Sequence, residues 1–372
     1  MEHNQMLTHI ESIPALIRDI FPALDKEAVR LAAAVSNWPL ASVYLYGSGD
    51  SWAAAQGATS AFMELCGLPA FALPSMQASR YAPGYCMPPR HTVLAVGISS
   101  SGQVRRPLEA TMALTAGGFD PILITSNPDS PGGTSAWEVY HTPVPPFDRS
   151  PGVRNYVAAQ LALYLLAIRL AQATGRLKEA EAEGMVRDLA RMGDTLAQAL
   201  EEHRETLRRF AALCAKEQRV EFLASGPCRG AADFGVGKVL EATGYTALSP
   251  ELEEFSHMNF FSLRPERIPT VLICPGSARC VRRALELERS TRHQGRPYLV
   301  LTDNAPFLAS GEQLLRVSTP LEEKFAPLVF SFLTAALAAY MPLEKGDRYM
   351  HGHQGPFLEE GFPTIMDSEI IL

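Results

Sequence analysis

The sequence predicts an α/β protein built from two tandem copies of one unit, each a parallel sheet flanked by helices. Three observations predict it. Short, continuously apolar runs of strand length recur, each followed directly by a turn rich in glycine, serine or asparagine. Stretches long enough for a helix and a crossover separate them. The series then occurs a second time, with Gly226 179 positions after Gly47 and Asn304 177 positions after Asn127. Unbroken apolar strands alternating with helices indicate a parallel sheet covered on both faces. Two large copies indicate a domain duplication rather than a solenoid.

In chain order, residues 1–35 read as a helical segment. Ser42–Tyr46 (SVYLY) leads into GSGDS, Val93–Ile98 (VLAVGI) into SSSGQ, and Pro121–Thr125 (PILIT) into SNPDS. The apolar stretch Tyr156–Thr174 closes the first copy. Gly175–Thr206, rich in Glu, Arg, Leu and Ala, reads as linking helices with a solvated charged face. The second copy runs Val220–Ala224 (VEFLA) into SGPCRG, Val271–Cys274 (VLIC) into PGSARC and Pro297–Leu301 (PYLVL) into TDN. Phe325–Met341 closes it.

Composition narrows the function classes. The chain has 372 residues, 47% of them hydrophobic, and a formal charge of −7. An acidic chain without a Lys/Arg block is a poor partner for nucleic acid or an anionic membrane. Of the two apolar stretches, the first contains Gln160, Arg169 and Gln172, and the second is short for a span and contains Pro327. Both fit helices buried in a large fold or at a dimer interface, so no membrane partner is expected. No secretory signal is visible at the N-terminus. The six cysteines form no CxxC pair and read as reduced, mostly buried thiols, which fits a cytoplasmic protein.

Ligands of open α/β sheets bind beyond the carboxyl ends of the strands. Gly47-Ser48-Gly49 allows close backbone approach at a helix start near Ser51. Ser99-Ser100-Ser101-Gly102 offers three hydroxyls and a run of N–H donors at a second helix start. Helix N-termini favour anions, so these loops are candidates for a phosphate. Ordinary βα turns with serine N-caps have the same composition. The equivalents in the second copy, Ser225-Gly226-Pro227 and Pro275-Gly276-Ser277, contain prolines, which remove donors. The first copy is therefore the expected phosphate site and the second a diverged copy.

From about residue 35 to 352 the chain resembles the SIS (sugar isomerase) family in its double-domain form. That form includes the isomerase part of glucosamine-6-phosphate synthase, deaminases of the same fold and fructosamine-6-phosphate deglycases. Ser99, Ser101 and Gly102 match the serine-rich loop S-x-S-G-[ED]-T. Gln103 replaces the acid, and Val104 stands where a phosphate-binding Thr is common. Gly47 and Ser48 fit the first glycine/hydroxyl turn. Lys238-Val239-Leu240-Glu241 resembles the family's K-x-x-E helix, and Glu254-Phe255-Ser256-His257 its E-x-x-H segment. The resemblance implies a flavodoxin-like three-layer fold in each copy. It gives SIS domains at 36–175 and 207–352, a helical linker at 176–206 and a tail at 353–372. It makes Glu241 the base that moves a proton between C1 and C2, and His257 a ring-opening residue supplied to the neighbouring subunit of a homodimer with shared sites.

The C-terminus departs from the synthase, with no lysine after Lys345. Asp347-Arg348-Tyr349-Met350 looks more like the deglycase branch. The SIS-like region starts near the beginning of the sequence, so no glutaminase domain is expected. The resemblance then implies release of an amine from an amino-sugar 6-phosphate, with plain sugar-phosphate isomerisation or non-catalytic binding as alternatives.

The residues themselves allow this chemistry. Glu241 suits a proton-transfer base if its helix lines the cleft, and otherwise pairs with Lys238 at i, i+3 on the surface. Lys238 stabilises an open-chain oxygen or simply pairs with an acid. His257 suits a proton shuttle near neutral pH, or is a surface histidine. His351 and His353 flank Gly352 with Asp347 nearby, but no complete ligand set appears, so no metal is expected. No GxGxxG, P-loop, HExxH or GxSxG motif is present, and no cofactor is expected.

Overall fold

The computed structural model describes residues 3–82, 89–346, 350 and 364–372. Cys86, Asp347, Arg348, Tyr349, His351 and His353, and most of the Gln77–Pro89 loop beyond Ala82, lie outside the described residues. The chain divides into two units. One comprises Ala15–Pro146, Arg154–Met192 and Glu360–Leu372, the other Met1–Pro14, Phe147–Val153 and Gly193–Glu359.

Each unit contains one five-stranded sheet, parallel throughout. The first has β1 (Ser42–Gly47), β2 (Ala70–Pro74), β3 (Val93–Ile98), β4 (Ile122–Thr125) and β5 (Glu138–His141), in the order β2-β1-β3-β4-β5. The second has β6 (Arg219–Leu223), β7 (Thr246–Leu248), β8 (Thr270–Ile273), β9 (Tyr298–Thr302) and β10 (Leu314–Arg316), in the order β7-β6-β8-β9-β10. Matching each strand to its counterpart five places later reproduces the same order. The internal repeat is thus a repeat of topology, as expected from the sequence. Every residue of β3, β4, β8 and β9 is buried, as strands covered on both faces must be.

The α-helices of six residues or more run α1 (Gln5–Val35), α2 (Asp50–Ala61), α3 (Arg105–Ala116), α4 (Arg154–Ala173), α5 (Glu179–Ala190), α6 (Met192–Glu217), α7 (Cys228–Thr243), α8 (Leu252–His257), α9 (Val281–His293) and α10 (Ala326–Lys345). By length and composition α4 and α10 are apolar enough to cross a membrane, but each is almost entirely buried inside the structure. The expectation of an apolar dimer face therefore does not rest on them. In α4, buried Arg169 is held by both oxygens of Asp25 at 2.7 Å and by Glu183. In the other unit α10 packs closely on α7. A Cβ on Gly235 would stand 2.9 Å from the Thr334 Cβ, and the Thr334 hydroxyl donates to the Ala231 carbonyl.

The last residues of the chain dock on α3. The Arg105 N–H donates to the Ile365 carbonyl at 3.1 Å, and the Arg105 Nε to the Met366 carbonyl at 2.7 Å. Glu109, whose side chain is fully buried, pairs with Arg80 at 2.9 Å and with Arg106, and accepts the Ile371 N–H at 2.9 Å. Burial alone would push the Glu109 carboxyl up. The hydrogen bonds from Arg80, Ile371 and Ser79 and the Arg106 charge overcome that and hold it at about 2, against an ordinary value of 4.5. A carboxyl depressed on folding contributes stability above its unfolded value and loses it as pH falls towards the folded one. Wild-type Tm should therefore fall between about pH 4.5 and pH 2. Glu109→Gln should cost about 3 kcal/mol at pH 7, as for a broken buried pair, and flatten that acid limb. Superimposable Tm-against-pH curves for the two proteins would contradict this account of Glu109.

Candidate functional site

From β1 the chain turns to β2 on one side, while β3 lies on the other, so the strand order reverses between β1 and β3. This is the switch point where open sheets take their ligands. The loops after both strands are the two singled out from the sequence. At the first, a Cβ on Gly47 would sit 2.6 Å from the Ser51 Cβ, and Gly49 has φ +54°, so glycine is required at both positions. The Ser48 hydroxyl donates to the Ser75 hydroxyl at 2.9 Å. Ser75 is buried just past the end of β2 and was not found from the sequence.

At the second loop, the Ser99 hydroxyl is buried and has no hydrogen-bond partner among the described residues. Gly102, at φ +62°, packs where a Cβ would run into the Ser130 hydroxyl. The Ser100 carbonyl accepts from the Ser126 N–H at 3.0 Å and the Thr125 hydroxyl at 3.1 Å. Two sequence expectations need correcting here. The loop is not itself a helix start, because α3 begins at Arg105 after Val104. Nor does it present a continuous run of free N–H donors. The Ser99 N–H goes to the Ile124 carbonyl, the Gly102 N–H to the Ser99 carbonyl and the Gln103 N–H to the Ser101 hydroxyl. The first N–H of α3 is taken by Ile365. A phosphate here would rely largely on hydroxyls, of which Ser99 is free to donate.

The second sheet has its own switch point, between β6 and β8. There the protein's own carboxylates occupy the donors. Asp303 accepts from the Gly276 N–H at 2.6 Å and the Leu321 N–H at 2.7 Å. Glu323 accepts from the Arg279 N–H, and Glu251 from the Ser225 hydroxyl. Ser48 with Ser75 in one sheet thus corresponds to Ser225 with Glu251 in the other. An incoming anion would meet carboxylates, a stronger objection than the prolines.

The remaining candidates lie on the second unit. Lys238, on α7, is completely buried, with its ammonium 2.6 Å from the Glu241 carboxylate and 5.1 Å from the centre of the Phe234 ring. Glu241 is 35% exposed, so it carries the charge of a buried cation to the surface. This is not the fully solvated pair that i, i+3 spacing alone allows. His257 ends α8, is 66% exposed and pairs with Glu253 at 3.4 Å. The structure does not bring it to Glu241. Among the described residues no cluster of His, Cys, Asp and Glu is placed to hold a metal ion.

Each unit therefore has the architecture of a doubly wound α/β binding domain with loops at a switch point. Residues 39–169 match the SIS domain family. The chain is 24% identical over 262 residues to the glutamine–fructose-6-phosphate aminotransferase (isomerizing) of Bradyrhizobium diazoefficiens, which covers 70% of this chain and 42% of that protein. The chain thus spans less than half the length of that curated relative. The C-terminal domain of the glucosamine-fructose-6-phosphate aminotransferase from Francisella tularensis shares the fold with a TM-score of 0.82 at 17% identity, over 93% of this chain and 97% of that one. A glucosamine-6-phosphate deaminase from Thermotoga maritima does so with a TM-score of 0.64 at 15% identity, over 92% and 96%.

Proposed function

We propose that this protein processes sugar phosphates by aldose–ketose proton transfer and releases an amine from an amino-sugar 6-phosphate. The observation that carries the reading is the buried Ser99 hydroxyl at the first switch point, unpartnered among the described residues. A buried hydroxyl left without a partner is costly, and a phosphate oxygen would satisfy it. Ser48, Ser100, Ser101 and the backbone at Gly47 and Gly102 complete the cradle. Glu241 takes the proton from C2 of the open-chain sugar and delivers it to C1. Lys238 fixes the carboxylate. With an amino group on C2, the transfer yields an imine at C2, which water hydrolyses to the ketose phosphate and ammonia. The name of the curated relative, an isomerizing aminotransferase of fructose-6-phosphate, supports the reading.

His257 acts in ring opening at the site of a second copy. Its exposure supports this, as does the apolar surface of Met258, Phe260, Phe261 and Leu263 that follows it, since exposed apolar patches mark interfaces. A stable monomer in sedimentation at micromolar concentration would remove the shared-site part of the proposal.

The test of the activity is a panel of aldose, ketose and amino-sugar 6-phosphates, assayed separately for isomerised sugar and for released ammonia or amine. Ammonia or amine release is expected. Isomerisation without release would leave the plain isomerase reading. Binding at the serine loop without turnover of any compound would make the protein a sugar-phosphate binder.

A further inference from the structure

Arg296 and Glu221, in the second unit, form an ion pair in which both side chains are wholly buried, and the proposed reaction gives it no part. Glu221 lies beside Thr270, the first residue of β8, so the pair sits towards the amino end of the second sheet. The Arg296 Nη1 donates to the Glu221 carboxylate at 2.9 Å and to the Thr270 hydroxyl at 3.3 Å. Arg219 donates to the other Glu221 oxygen at 2.8 Å. Buried pairs of this kind often stabilise a fold no better than well-packed apolar side chains. The remaining contacts of Arg296 leave the sheet and converge on one segment. Its Nη2 donates to the Asn259 carbonyl at 2.8 Å, and its guanidinium stands 4.8 Å from the centre of the Phe255 ring. Its Nε donates to the Gln294 side-chain carbonyl at 3.0 Å, and the Gln294 amide donates to the Phe260 carbonyl at 2.8 Å.

Phe255 and Asn259 lie two residues before and two residues after His257. The segment has little regular structure of its own to orient that histidine. α8 is six residues long, and Met258 at its end has φ −130° and ψ −70°, outside the helix, before a short 3-10 turn at Asn259–Phe261. Its start is tied to the other end of the sheet, where the Leu252 N–H donates to the Ala224 carbonyl at 3.2 Å, just past β6. On the outer side Arg283 holds Glu253, the partner of His257, at 2.6 Å and reaches the Ser256 hydroxyl at 2.8 Å. His257 and the apolar residues after it therefore stand on a strap pinned at both ends.

We propose that Arg296 is a positioning residue for the reaction, fixing Phe255–Phe261 against the sheet so that His257 is presented in one orientation to the sugar held by a second copy. This rests on the ring-opening role proposed for His257. Arginine serves where lysine does not, because its planar group donates in several fixed directions at once and lays its face on an aromatic ring.

The test uses the full chain and two variants. Arg296→Lys keeps a charge for Glu221 but loses the fork that reaches Asn259 and Gln294. Gln294→Ala leaves the buried pair in place and cuts the tie to Phe260, so it carries the test alone should Arg296→Lys not fold. Hydrogen exchange reads the Met258, Phe261 and Ser262 amides, which bond the carbonyls of Glu254, Met258 and Asn259. In both variants these should exchange at least about tenfold faster, while the amides of β8 and β9 stay protected. Ring opening is read separately, by NMR exchange, as protein-catalysed interconversion of the α and β anomers of glucose 6-phosphate, which needs no proton transfer between C1 and C2. The variants should slow it about 10- to 100-fold, as for a misplaced catalytic group, with glucose 6-phosphate affinity kept within about threefold. Exchange equal to wild type, faster exchange without slower interconversion, or affinity lost in proportion to rate would overturn the proposal. A wild type that does not speed the interconversion would overturn the ring-opening role of His257, and with it the part of Arg296 in the reaction. The exchange result, which does not depend on activity, distinguishes that failure from a failure of the anchor.

Discussion

Glu241→Gln is expected to reduce turnover about 10²- to 10⁴-fold on any sugar phosphate the protein processes, the usual share of a general base. Sugar-phosphate affinity should stay within about threefold, because the substitution leaves the proposed phosphate cradle at Ser48 and Ser99–Gly102 untouched. The substitution keeps the side chain's length and a carbonyl that can still accept from the buried Lys238 ammonium, 2.6 Å away in the wild type. It removes only the charge and the basic oxygen. Breaking a fully buried pair costs about 3–5 kcal/mol. Here the cost should be smaller, because Glu241 is 35% exposed. Measuring kcat, KM and Tm together separates the roles. A lower kcat with near-normal KM and Tm identifies the base. A collapsed Tm with normal turnover per folded molecule makes the pair structural.

Ser99→Ala is the second large effect. The Ser99 hydroxyl has no partner among the described residues, so losing it should not destabilise the fold and should raise stability by up to about 1 kcal/mol. Losing a hydrogen bond to a charged phosphate is worth about 1.5–3 kcal/mol, or roughly 10- to 100-fold in affinity for a hexose 6-phosphate. The control is Ser225→Ala in the second sheet. That hydroxyl already bonds Glu251, so the variant should leave affinity unchanged. Calorimetric titration of both variants with one sugar phosphate reads the contrast. Equal losses, or none at Ser99, would contradict the assignment of the phosphate to the first sheet.

The central strands were legible in the sequence because burial on both faces makes them continuously apolar. VLAVGI, PILIT, VLIC and PYLVL are β3, β4, β8 and β9. The edge strands were not. β2, β5, β7 and β10 are three to five residues long and partly exposed, so they carry little apolar signal. Ser75 was missed with β2, since it is recognisable only as the residue beyond that strand's end. The switch-point loops were legible because glycine is required there. What the loops do with their N–H groups was not, because their partners, Ile124 and Ile365, come from distant segments. The same holds for the second switch point. Asp303 and Glu323 fill it from 27 and 44 residues beyond Gly276 and Arg279, and no local pattern announces them.

Glu241 is proposed to move a proton between C1 and C2 of a phosphorylated sugar. The most direct measurement is proton NMR of a hexose 6-phosphate or amino-sugar 6-phosphate incubated with the protein in D2O. Deuterium should enter at C1 or C2 with the wild type, through exchange of the abstracted proton on the carboxylate. Incorporation with Glu241→Gln should be slower by the same factor as turnover. Conversion of substrate with no deuterium at either carbon under any condition, or equal incorporation by both proteins, would contradict it.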